Sequence, residues 1–271
     1  MVIVFPNRYS DALLDSSIYL YLRGAMSTIM SYFNFPPGAF GLECAARVLR
    51  LVLDDFGWVT PTRVGRLTAN RPITPPNATS AALAATCAEQ GVLSVKGKGG
   101  ELLVKPARGN TSGGGGFLVW YGPGLKRPSD RRRHAEQCAA VCKLLGSPLA
   151  YACLPDDYAA KRSRDVARGK FIEEVPRVRG YREGLLALFW LNFLGPPFSE
   201  LMAARLSALP SDVATDLGGG YWRVTPYDDP EIAMTDEGRR REAERIEQIG
   251  TEFFYDMARE QPPQVRPNKS G

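Results

Sequence analysis

Cys44, Val48, Leu51, Val52 and Phe56 recur at helical spacing while Glu43, Arg47 and Arg50 fall on other faces, so the pattern predicts a helix from about residue 42 to 55 that Gly57 ends. Residues 58–64 then read as a strand, which Pro61 pushes toward a sheet edge or a bulge. A turn-rich connector over 70–77 leads to a second helix over 79–89. Residues 91–96 and 101–105 flank a Gly-Lys-Gly-Gly turn as a β-hairpin. This first half reads α-β-α-β-β.

The run Gly109–Gly116 is glycine-rich enough to act as a flexible linker between two halves. Beyond it, residues 117–121 form a short predicted strand. Ser129 or Asp130 caps a helix over 131–145 whose apolar stripe is Ala135, Cys138, Val141, Cys142 and Leu145, and a strand over 148–154 follows. The apolar run Leu185–Leu194 is too short to span a membrane, stops at Gly195-Pro196-Pro197, and reads as a buried helix over 185–193. A further helix over 199–207, residues 212–217, a Gly218-Gly219-Gly220 turn and residues 221–225 repeat the helix-then-hairpin order of the first half.

Glu43-Cys-Ala-Ala before one predicted strand matches Gln137-Cys-Ala-Ala before another. The two halves therefore read as a pseudo-repeat of α+β class, two similar α-β-α-β-β units forming one or more sheets with helices packed on one face. The expected boundaries are an N-terminal extension over 1–40, a first half over 41–108, the linker over 109–116, a second half over 117–258 and a disordered tail over 259–271. The last helix starts at the N-cap Thr235 and runs through Glu252, with Ala243, Ile246, Ile249, Phe253 and Met257 as its stripe and Arg239, Arg240, Glu242, Glu244, Arg245 and Glu247 solvating the rest.

Composition changes this picture little. With 44% apolar and 23% charged residues in 271, the chain is an ordinary globular sequence, and a net charge of +5 is too mild to require a nucleic-acid partner. Five cysteines, Cys44, Cys87, Cys138, Cys142 and Cys153, lack the spacing of a disulfide framework, so a reducing cytoplasm is the expected compartment. The N-terminus does not read as a secretory signal, and no membrane association is expected.

Candidate chemistry is sparse. His134 is the sole histidine, and beside Arg131–Arg133 it reads as a surface residue. A zinc site from His134, Cys138, Cys142 and Cys153, or a Cys-His pair, competes poorly with buried core thiols. The pairs Asp54-Asp55, Asp156-Asp157 and Asp228-Asp229 sit at predicted element ends, where Asp is favoured for local backbone bonding. Gly113–Gly116 lacks the Gly-Lys-Ser/Thr ending of a phosphate loop, so no cofactor is expected. The segment 161–182 holds Lys161, Arg162, Arg164, Arg168, Lys170, Arg177, Arg179 and Arg182, but Asp165, Glu173, Glu174 and Glu183 interrupt it.

Three stretches, Trp190-Leu-Asn-Phe-Leu-Gly-Pro-Pro-Phe-Ser-Glu-Leu201, Gly219-Gly-Tyr-Trp-Arg-Val-Thr-Pro-Tyr-Asp-Asp-Pro230 and the final Glu-rich helix ending Phe253-Phe-Tyr-Asp256, resemble bacterial immunity proteins of polymorphic-toxin systems; Phe117-Leu-Val-Trp-Tyr-Gly-Pro123 adds to the likeness, which covers residues 117–258. The resemblance implies a non-enzymatic cytoplasmic antidote that binds a cognate protein toxin. No catalytic residues carry over, and the extended N-terminus departs from the pattern. The residues expected to meet a partner are Trp120, Tyr121, Tyr221, Trp222, Tyr227, Asp228 and Asp229, aromatic anchors with a charged rim. The competing reading is an accessory enzyme, metal-dependent or nucleic-acid-processing, that uses the Asp pairs and the basic 161–182 segment.

Overall fold

A computed structural model describes residues 28–106, 116–168, 171–178 and 180–267. Ten strands make one antiparallel sheet: β1 (Thr28–Phe35), β2 (Thr60–Gly65), β3 (Arg71–Pro72), β4 (Leu93–Lys98), β5 (Gly100–Lys105), β6 (Gly116–Pro123), β7 (Leu149–Cys153), β10 (Leu191–Leu194), β11 (Ala214–Gly218) and β12 (Tyr221–Val224). Their spatial order is β11-β12-β10-β7-β1-β6-β5-β4-β2-β3, and β8 (Ser163–Arg168) pairs with β9 (Phe171–Pro176) as a separate hairpin. The helices are α1 (Leu42–Leu49, continued as a π-helix over Arg50–Asp55), α2 (Ser80–Gln90), α3 (Pro128–Leu144), α4 (Pro155–Arg162), α5 (Phe198–Ser207) and α6 (Asp236–Ile249). The chain adopts the expected α+β class. No helix among the described residues is long and apolar enough to cross a membrane.

The two halves share the sheet and exchange their first strands at its centre. β1 opens the first half yet lies between β6 and β7, while β6 opens the second half yet lies between β1 and β5. Residues 28–35, inside the segment expected to be an extension, thus form a central strand with Ile29, Phe33 and Phe35 fully buried. The expected linker lies outside the described residues apart from Gly116, the first residue of β6. The likeness in element order does not place equivalent strands alike: β7 is the direct neighbour of β1, whereas β2 stands three places from β6.

Strand alternation gives the sheet two apolar faces, and helices cover both. On one, Phe33, Leu102, Val104, Leu118, Ala150 and Phe193 meet α1, α2 and α3 through Val48, Val52, Leu83, Cys87, Cys138, Val141 and Cys142. On the other, Tyr32, Val119 and Tyr151 meet Tyr158 of α4 and Phe189, while Leu194, Ala214 and Val224 meet α5 and α6 through Phe198, Met202 and Ile249. Helices on a single face would have left Met30, Tyr151, Cys153, Leu194 and Val224 in water, and all are buried.

Three further segments differ from their sequence reading. Residues 185–193 do not form a helix: 185–190 lead without regular structure into β10, whose four residues are buried between β7 and β12. A short, wholly apolar run suits a central strand as well as a buried helix, and periodicity cannot separate the two. The last helix stops at Ile249 because Gly250 takes φ +119, and its inward positions are Gly238, Glu242 and Ile249 while Ala243 is exposed. Residues 259–267 are tied back, with Gln264 N–H and Val265 N–H donating to Glu252 O and Val265 packing near Phe253.

Candidate functional site

At the end of the sheet where β6, β7 and β12 finish, two loops face each other across a cleft of about 300 Å³. One wall is the turn from β6 into α3, with Gly124, Leu125, Lys126 and Arg131; the other is the turn after β12, with Asp229, Pro230 and Glu231; Ile29 and Leu154 form an apolar floor. Local chemistry shapes both walls. Asp229 caps a 3-10 turn over Pro230–Met234, its Oδ1 accepting from Glu231 N–H at 3.0 Å, and Pro230 suits the first position because its missing N–H would have had no partner. Pro128 opens α3 in the same way, but the N-cap is Arg127, whose side chain caps nothing and instead pairs with Asp130. Arg131 Nη1 reaches across to Asp229 Oδ2 at 2.7 Å.

The structure brings only part of the expected partner-binding set together. Asp229 lines the cleft, with exposed Asp228 and buried Tyr227 preceding it. Tyr121 lies on β6 opposite Met30 and is half-buried. Trp120 is interior: its Nε1 donates to Trp58 O at 3.2 Å and its ring stacks on Trp58. Tyr221 and Trp222 start β12 at the opposite end of the sheet, half-buried, with Trp222 beside Leu194 and Tyr221 against Gly195. Lys126, Arg131 and Glu231 were not singled out as partner-binding residues. The signal for Arg131 was present in the triplet Arg131–Arg133, which has a single acid, Asp130, among the residues just before it.

Two polar clusters lie inside the protein. His134 is buried rather than on the surface, because α3 starts at Pro128 and residue 134 stands one turn before Cys138 on the inward stripe. Its Nε2 is 2.8 Å from Ser31 Oγ and 3.3 Å from Cys138 Sγ, with Trp58, Trp120 and Trp190 around the ring. Burial pushes the imidazole down to about 3 and raises the Cys138 thiol, so both are neutral near pH 7. Cys142 faces Ser147 O, and Cys153 is on the other face of the sheet beside Met30, so the four residues weighed for zinc do not converge. Among the described residues no three His, Cys, Asp or Glu side chains are gathered as for a metal ion.

The second cluster joins α4 to α6. Lys161 Nζ sits 2.8 Å from Asp157 Oδ1 and 2.7 Å from Glu242 Oε2, and donates to Leu188 O at 2.8 Å. Glu242 Oε1 accepts from Leu188 N–H at 3.2 Å, which pins the 185–190 segment. Burial alone would lower the lysine, but the adjacent Glu242 and Asp157 hold it above its ordinary value; both carboxyls are raised by burial, against the pull of Lys161. Asp157, expected at an element end for local backbone bonding, and Glu242, expected on a solvated helix face, are thus interior. Within the basic 161–182 segment, Arg177 ties down the β8–β9 hairpin: it donates to Ala160 O, Lys161 O and Ser163 O and pairs with Glu260, which also faces Arg164. Lys170 and Arg179 lie outside the described residues.

No protein-family model matches the chain, and no curated protein matches it. Among solved structures, the Pseudomonas aeruginosa T6SS protein PA0821 superposes with a TM-score of 0.56 over 88% of this chain and 82% of that chain, at 12% sequence identity. The likeness is one of fold.

Proposed function

We propose that the chain is a non-enzymatic binding protein that neutralises a cognate toxin domain, acting as an immunity protein in the cytoplasm. The observation that carries this reading is the fold likeness to a T6SS protein over most of both chains, joined to the resemblance of residues 117–258 to immunity proteins of polymorphic-toxin systems. The placement of the titratable groups supports it. His134 and Cys138 are walled in by tryptophans, and Lys161, Asp157 and Glu242 hold elements together, while the cleft with Arg131 and Asp229 presents charge and an apolar floor to solvent.

Producing the protein encoded by the adjacent gene in a bacterial host, with and without this protein, tests the reading. Restored growth and a stable complex on size exclusion are expected. Unrelieved toxicity with both proteins soluble would sink the antidote role and move attention to the accessory-enzyme alternative.

A further inference from the structure

We propose that the basic face at the start of α3, together with the cleft beside it, docks a carboxylate-bearing segment of a partner protein. Residues 126–133 read Lys-Arg-Pro-Ser-Asp-Arg-Arg-Arg, five cations against one acid. The N-terminal end of a helix carries positive partial charge, so cations there oppose the dipole and do nothing for the helix itself. Two are answered within the fold, Arg127 by Asp130 and Arg131 by Asp229. Arg132 and Arg133 are exposed, and among the described residues neither they nor Lys126 has an ion pair.

The other arginine triplet in the chain, Arg239–Arg241 in α6, shows what a self-sufficient arrangement looks like: Asp236, Glu237 and Glu244 pair with all three. The excess at α3 is therefore available to something outside the fold. The cleft narrows the choice. Its floor of Ile29 and Leu154, with Leu125 on the near wall, suits an apolar anchor, and its far wall of Asp229 and Glu231, with Asp228 exposed beside it, repels a continuous phosphate backbone. A protein segment can place its carboxylates on the α3 side alone and an apolar residue over the cleft, keeping charge off the acidic wall; a nucleic acid, charged at every residue, cannot.

The identity of the partner as a toxin rests on the function proposed above, whereas the chemistry of the surface does not, and two measurements keep these apart. In the first, a fluorescein-labelled acidic peptide of Asp, Glu and Leu is titrated at low salt by anisotropy. Arg132→Glu/Arg133→Glu should weaken binding about tenfold or more, with Arg240→Gln as an unaffected control. Because both positions are exposed, the double variant should keep its melting temperature, which circular dichroism checks. Equal binding by wild type and double variant, or tighter binding of a single-stranded DNA of matched charge, overturns the proposal. In the second, the toxin domain replaces the peptide. If it binds wild type and double variant equally, the antidote reading stands and this surface is wrong. If the peptide result holds but the toxin domain does not bind, the surface stands and the antidote reading fails.

Discussion

Helices α3 and α6 carry the same Arg-Arg-Arg triplet near their first turns, yet the two ends are built in opposite ways. In α6 the N-cap Thr235 accepts from Gly238 N–H at 3.1 Å, acids precede the triplet by three and four residues, and each guanidinium of the triplet has a carboxylate. In α3 the N-cap side chain caps no backbone N–H, the one preceding acid turns back to Arg127, and the triplet is left to Asp229 and solvent. Their inward faces differ as well. α6 buries a carboxylate that needs a lysine from α4, and α3 buries an imidazole that stays neutral among tryptophans. A charge motif thus gains its meaning from its neighbours: in one place it closes a local circuit, in the other it leaves charge for a partner.

The largest effect should come from breaking the buried circuit of α6. Lys161→Ala leaves Asp157 and Glu242 facing each other without a cation and should cost about 3–5 kcal/mol in urea unfolding. A loss below about 1 kcal/mol would show that this cluster does not anchor α6.

The buried imidazole of α3 makes stability depend on pH. His134 titrates at 6.5 when unfolded and at about 3 when folded, so between these values the unfolded chain binds a proton that the folded chain does not. Stability should fall as pH drops through this window, by roughly 1.4 kcal/mol per unit at most. His134→Gln should flatten that limb in denaturation series at stepped pH; an unchanged slope would mean that other groups set it.

Gly238 sharpens the contrast at the capped end. Alanine in a helix normally favours stability, but a Cβ here would stand 2.0 Å from Ile232 O, so Gly238→Ala should destabilise by about 1–3 kcal/mol in thermal or urea unfolding. A gain in stability would refute the close approach of α6 to the preceding turn. Smaller still, Thr235→Ala should cost about 1 kcal/mol, whereas Arg127→Asp, which supplies α3 with the cap it lacks, should raise the melting temperature.

How much of this was legible in the chain varies with how local the cause is. The stripe Ala135, Cys138, Val141, Cys142 and Leu145 was read from spacing alone, and all five are buried. The hairpins around Gly97–Gly100 and Gly218–Gly220 were visible because a turn needs particular residues at particular places. The Asp229 cap was foreshadowed by the preference of an Asp pair for local backbone bonding. The cleft was not legible, since its walls lie about a hundred residues apart in sequence and only the pairing of β6, β1, β7, β10 and β12 in that order brings their ends together.

The sequence by itself determined the α+β class, most helices, the β4–β5 and β11–β12 hairpins, and the inward faces of those helices whose apolar spacing is regular. These follow from short-range sterics, side-chain periodicity and turn chemistry, which act within a few residues. Only the tertiary structure decided that residues 28–35 are a central strand, that 191–194 extend rather than coil, and that His134, Asp157 and Glu242 are interior. Each depends on a partner distant in the chain: strands on both sides for the backbone groups of β10, the packing of α6 on α4 that sets Glu242 against Lys161 beside Asp157, and an aromatic wall from three separate segments for the imidazole.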